Sequence, residues 1–410
     1  MRTLFYNGEI LTMESPRPAQ AVLTEGKRIL AVGDLSAIAP LAGRGARRVD
    51  LQGGALIPGF ADCGGSFGSS VRRRLPADAG SREIRTVTHR VWEDYIRLGY
   101  STVCAGGLDG DTAAMLACTD LSSPLLVTAD VWEMDRVLRA TAGSRGRLRL
   151  CGVTLDLDAR EDGGEATGRL AYCDRAVGYA LHAAAAAGLP PIVRAESTAS
   201  VEQLLRVARA LSRAYPALPA TRPVLLDARA LSPLAAEKMR AVGGIPCFAA
   251  DVILQMGDDI LAARGLEEAS RLTPCAAARR VGLPFTLCGA NAGQIPDPLA
   301  LLSAAVRRRT ARGILLGEGE RAGVYDALRG LTVHGAWQYH AEHAWGSIRA
   351  GMQADMALLD RSPLAVSTRE LEDIRCVATW IGGELVWHDF HFGISTRQQR
   401  VPNVYESFIK

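Results

Sequence analysis

The sequence predicts an α/β protein: a (β/α)8 barrel of the TIM type plus a small β-sandwich built from both chain ends. Three observations carry this reading. From residue 55 to about 330, eight short apolar β-type runs alternate with Ala-, Leu- and Arg-rich helical stretches. Strands returned by helix-length connections pair in parallel. Eight such units over roughly 275 residues match the size of a (β/α)8 barrel. Finally, β-type runs with turn signals recur at both termini and flank this alternation.

Taken in order, TLFYNGEILTMESPRPAQAVLTEGKRILAVG (3–33) alternates short β runs with turns. Asn7-Gly8 is a hairpin signal and Gly26-Lys27 a second turn. RRVDLQG (47–53) is a further strand leading into ALIPGFA (55–61). The remaining barrel runs are STVCAG (101–106), PLLVTAD (124–130), LRLCGVTLDLD (148–158), PIVRAE (191–196), RPVLLDA (222–228), GIPCFAAD (244–251) and PFTLCGAN (284–291). Helices are predicted over 176–189, 201–215 and 232–243, and LTVHGAWQYHAEHA (331–344) as a last helix lying outside the barrel. β signals return in CVATWIGGELVWH (376–388). The organisation is therefore 1–54 as the N-terminal part of the sandwich, 55–340 as the barrel, and 341–410 as the rest of the sandwich with a polar tail. A doubly wound open sheet is the alternative, weakened by the lack of a Gly-rich dinucleotide fingerprint after any strand.

The 410 residues, 48% hydrophobic, suffice for a large core and a smaller second unit. A net charge of +3 without a dense basic run gives no footprint for nucleic acid. No apolar run reaches the roughly 18–20 residues of a membrane helix, and MRTLFYNGEI lacks the apolar core of a signal peptide. Nine cysteines, an odd number without a CxxC pair, suit reduced thiols and a cytoplasmic location.

NGEILTM, GKRILAVG, LIPGFAD, GSIRAGMQADMALLD and IGGELVW, taken as a set, resemble the amidohydrolase superfamily. RPVLLDARALSPLAAEKMRAVGGIPCFAAD and CGANAGQIPDPLALLSAAVRR are most similar to its YtcJ-like branch, amidohydrolase family 3. The resemblance implies a split β-sandwich carrying a barrel with one or two divalent metals at the C-terminal mouth. There a metal lowers the pKa of a bound water for attack on a carbonyl-type carbon.

Carried over position by position, the ligand pattern is missing. The paired histidines of the first strand fall on Gly64 and Ser66, and the bridging lysine of the fourth on Thr154. The histidines of the fifth and sixth strands fall on Arg194 and Asp227, and the proton-shuttling aspartate of the eighth on Asn291. Arginine stays protonated and an amide is no general base. The only lysines are Lys27, Lys238 and Lys410, and none of the seven histidines falls at a barrel strand end. The expectation is therefore that no divalent metal is held.

The same rim offers other chemistry. Cys63, Cys104, Cys151, Cys247 and Cys288 lie within or near β runs, where free cysteine packs as a small hydrophobe. A Cys63 or Cys288 nucleophile lacks an activating histidine. His340 and His343, three apart, read as packing or surface residues. Asp62, Glu196, Asp227 and Asp251 project from strand ends 1, 5, 6 and 7, with Arg194 as their natural partner. Asp227 and Glu196 are the acid/base candidates, and Asp62, Cys63, Ser66, Thr154, Arg194, Glu196, Asp227, Asp251 and Asn291 outline a ligand pocket. The leading reading is a degenerate, non-hydrolytic amidohydrolase homologue serving as a binding or partner subunit. Its expected partners are a small molecule at the mouth, an intact homologue, or further copies of itself. The alternative is a hydrolase on non-peptide carbon–nitrogen bonds with relocated ligands or metal-free acid/base groups.

Overall fold

A computed structural model describes residues 1–76, 78–160, 166–229, 231–291 and 293–393. The C-terminal tail from 394 lies outside the described residues.

At its centre is a seven-stranded sheet. Its order is Thr286–Cys288, Ile245–Ala249, Val224–Leu226, Pro191–Arg194, Leu148–Asp156, Leu125–Asp130, Cys104–Leu108. Every neighbouring pair is parallel. The sheet is curled, because one short segment meets both of its edges. Phe60–Ala61 pairs in parallel with Tyr100–Thr102, and Ser66 bridges to Ala105 beside one edge. Gly64 lies against Cys288 on the other.

Helices return the chain between strands. Thr198–Ala214 starts with a capping box, Ser197 and Ser200 each serving the other's backbone N–H. It buries Val201, Leu204, Leu205 and Ala208, the one-face spacing of an amphipathic helix. Pro298–Arg307 begins with Pro at its first position and with Asp297 accepting from Leu299 and Ala300 N–H.

The chain ends form two further sheets. One runs Arg28–Gly33, Ala21–Glu25, Arg2–Tyr6, Arg47–Asp50; the other runs Glu9–Ile10, Ala55–Pro58, Met356–Leu359, Cys376–Ile381, Glu384–His388. Phe5, Val22 and Val49 of the first share an apolar cluster with Leu56, Met356 and Trp380 of the second. Phe5 meets Trp380 edge to face at 5.2 Å.

Three local features differ from the sequence reading. ALIPGFA is not one strand: Ala55–Pro58 pairs with Met356–Leu359, and only Phe60–Ala61 joins Tyr100–Thr102. Gly59 makes the switch, since a Cβ there would stand 2.3 Å from Ser101 Oγ. The fourth run ends in a hairpin, Asp158–Arg160 with Ala166–Leu170. Of the predicted last helix, 331–344, only Val333–Gln338 is helical, preceded by a separate helix Val324–Gly330, so His340 and His343 lie beyond it. This region also turns inward: Ala336, Tyr339, Ala341 and Trp345 pack with Cys63, Cys104, Cys151, Cys247 and Cys288 inside the curl.

Candidate functional site

The carboxyl ends of the parallel strands carry the predicted groups, and the structure sorts them into separate clusters. The first surrounds Asp62. Its Oδ1 accepts from the N–H groups of Gly64 and Gly65, and its Oδ2 from Ser66 N–H and Tyr95 OH, all at 3.1 Å. Burial raises this carboxyl to about 6, and those donors oppose the rise. Asp62 thus shapes the turn that follows its strand. Cys63 is buried beside it, and its carbonyl accepts from Gln338 Nε2 at 3.1 Å.

Gly64 has no space for a side chain, because an added Cβ would stand 2.7 Å from Cys288 Cβ. Ser66 is buried at the start of Phe67–Arg74. Thr154 Oγ1 lies 2.7 Å from Thr128 Oγ1, which in turn accepts from Gly107 N–H.

The second cluster is ionic. Asp227 and Arg229 form a bidentate pair at 2.8 and 2.9 Å, with the Asp227 side chain almost fully buried. Asp227 holds a left-handed backbone, φ 58°. Glu196 pairs with Arg160 and lies 3.5 Å from Arg229, and Arg160 also binds Asp156 at 3.0 Å. Burial disfavours charge on Arg160 and on Arg229, but the Glu196 and Asp227 carboxylates outweigh it and hold both guanidiniums above their ordinary range. Arg194, the partner expected for these acids, is only loosely engaged: 3.8 Å from Asp156 and 4.0 Å from Asp227. Both separations exceed hydrogen-bond length.

Asp251 stands apart from both. Its carboxylate accepts from Ala290 N–H and Gln255 Nε2, each at 2.7 Å, and burial raises its pKa. It thereby fixes the loop on which Asn291 sits exposed.

The sequence reading thus named Arg194, Glu196 and Asp227 but missed Asp156, Arg160 and Arg229. The signal was present: the tetrapeptide LDAR occurs twice, at 157–160 and 226–229, each time at the end of a strand of the central sheet. The thiols are poor nucleophiles. Burial, then the Asp62 charge, pushes Cys63 well up. A hydrogen bond with Cys247, then burial, does the same to Cys288. His334 and His340 bond Phe285 and Thr221 carbonyls and lie away from these clusters.

A curled parallel sheet with polar groups at its carboxyl ends defines a TIM-like α/β scaffold of the kind used by hydrolases. The sequence profile of the amidohydrolase family matches residues 76–387, so this chain belongs to that family. An N-substituted formamide deformylase of Arthrobacter pascens is 29% identical over 119 residues, 29% of this chain and 22% of that one. The match therefore spans about a fifth of that relative's length.

A metal-dependent hydrolase from Pyrococcus furiosus superposes with TM-score 0.71 at 14% identity, covering 89% of this chain and all of that one. An adenosine deaminase from Xanthomonas campestris with bound zinc gives TM-score 0.69 at 15% identity, covering 93% and 92%. These likenesses show the shared fold.

They also correct one expectation. The sequence reading called for no divalent metal, whereas the family's neighbours are metal-dependent and one holds zinc. A divalent metal is what this family implies. The donor set at this mouth does not fit the family's cage. Among the described residues no three His, Cys, Asp or Glu side chains converge on one point. The nearby carboxylates already accept from backbone N–H groups, Tyr95, Gln255 or guanidiniums.

No helix among the described residues is long and apolar enough to cross a membrane.

Proposed function

We propose that this chain is an amidohydrolase-family protein whose mouth binds a small molecule and does not perform the family's hydrolysis. In this reading the seven-stranded sheet and Phe60–Ala61 close into the eight-stranded barrel of 55–340, and the two terminal sheets form the sandwich. One observation carries the reading: the carboxylates at the strand ends are committed to structural donors, while Gly64 has no room for any ligand side chain. The Arg194 guanidinium, partly exposed and without a hydrogen bond among the described residues, is the group left to grip an anionic part of the ligand. Partnership with an intact homologue, or with further copies of this chain, is compatible with such a role.

The test is turnover. The purified chain is incubated with N-acyl amino acids, cyclic amides and N-substituted formamides, with and without added zinc or manganese. Product should not exceed the protein-free control. Turnover abolished by Asp227→Asn would overturn the proposal. It would favour the second reading, hydrolysis of carbon–nitrogen bonds by acid/base groups, for which the likeness to the formamide deformylase speaks.

A further inference from the structure

A groove lies at the other end of the strands. The segment 337–342 docks beneath the sheet on Arg222, which precedes Val224–Leu226. Arg222 donates to Trp337 O at 2.6 Å, binds both Glu342 oxygens at 2.6 and 3.0 Å, and covers the Trp337 ring at 4.4 Å. Between this segment and Arg329 runs a groove of about 400 Å³. That is enough for a ligand of one or two rings.

Its lining has unmet hydrogen-bonding capacity. Arg329 Nε is buried without an acceptor, and Ser347 Oγ, on a residue 4% exposed, is buried without a partner. Buried donors are almost always satisfied, and these two are closed off from the groove itself, so a bound acceptor reaches them through a rotation of the Arg329 or Ser347 side chain. Charge tells the same. The acids lining the groove are matched, Glu342 by Arg222 and Glu14 by Arg349 at 3.6 Å. No described carboxylate lies within ion-pair distance of Arg329.

His334 completes the set. Its Nδ1 donates to Phe285 O at 2.8 Å, which leaves Nε2 as an acceptor. Burial pushes its pKa down to about 4, so the ring stays neutral and keeps that lone pair. Trp337 and Trp345 supply flat apolar walls.

The geometry points to a binding site for a small aromatic carboxylic acid in this groove: carboxylate on Arg329 and Ser347, ring against Trp337 and Trp345, and a ring hydroxyl donating to His334. The site is separate from the strand-end mouth and independent of what happens there.

The probe is 4-hydroxybenzoate, titrated calorimetrically into the full chain, with 4-hydroxybenzamide as its neutral counterpart. The acid should bind, and the amide should bind about tenfold more weakly or less, as loss of a charge-assisted pair implies. Arg329→Gln should weaken the acid about tenfold or more, Arg329→Lys less so, and Ser347→Ala severalfold. Absence of binding at about 10 mM acid, a range reaching the weakest specific affinities, overturns the assignment. So does equal affinity for acid and amide, or binding lost in Arg194→Gln but intact in Arg329→Gln, which would place the ligand at the mouth. Should Arg329→Gln not fold, the acid-against-amide comparison and Ser347→Ala decide the matter.

Discussion

The closed position at Gly64 can be measured directly. An alanine there would place its Cβ 2.7 Å from Cys288 Cβ, against about 3.5–4.0 Å for relaxed carbon–carbon contact. Neither side can retreat freely. Gly64 N–H is tied to Asp62 Oδ1 at 3.1 Å, and Cys288 O accepts from Ala250 N–H at 3.1 Å. Overpacking of this kind costs about 1–3 kcal/mol. Replacing Gly by Ala returns about 0.4–1 kcal/mol through the unfolded chain, so Gly64→Ala should lose roughly 1–2 kcal/mol net. Cys288→Gly removes the opposing Cβ. In that background the cost of Gly64→Ala should shrink by about 1 kcal/mol or more, a coupling read from a double-mutant cycle. Urea unfolding of the four proteins gives every term. If Gly64→Ala changes stability by less than about 0.5 kcal/mol and shows no coupling to Cys288, the position has room for a side chain and the reasoning about the mouth fails.

Asp62 should leave a signature in pH. Its carboxyl is raised from 3.8 to about 6 by burial, so between those values the folded chain holds a proton that the unfolded chain has released. Stability from this group is greatest below about pH 4 and falls as pH rises through 6, by about 3 kcal/mol in total. The urea midpoint of Asp62→Asn should lack that fall, and parallel pH profiles for the two proteins would refute it. Arg229→Gln strips the bidentate partner from buried Asp227 and should cost about 3 kcal/mol. A loss below about 1 kcal/mol, the level of an exposed pair, would show that Asp227 finds another donor.

The sequence made the strands legible because each is a short apolar run bounded by turns, and parallel strands buried on both faces leave that mark. It hid the break inside ALIPGFA, since the switch at Gly59 depends on the approach of Ser101, a long-range contact. It also overstated the last helix. LTVHGAWQYHAEHA has helical spacing, but the helix stops at Gln338, where Trp337 O is taken by Arg222 and Tyr339 turns in to reach Asp62 O at 3.1 Å. At the mouth the charged residue types were readable and their pairing was not. Arg194 looked like the partner of the acids because it sits on a strand. Arg160 and Arg229, each a few residues past a strand of the central sheet, have the reach to close the pairs instead.

The two ends of the strands can be compared by asking which polar groups still lack a partner, since fold alone assigns no activity. At the mouth, among the described residues, the carboxylates are bonded and the Arg194 guanidinium is left loosely held. In the groove beneath, an arginine Nε and a serine hydroxyl lack acceptors, and a neutral imidazole keeps a free lone pair. A ligand supplies free energy where it satisfies groups the protein has desolvated but not bonded. By that criterion the mouth is built to hold its own loops in place with one contact to spare. The groove, which the family's chemistry does not use, is the better prepared of the two to receive a molecule.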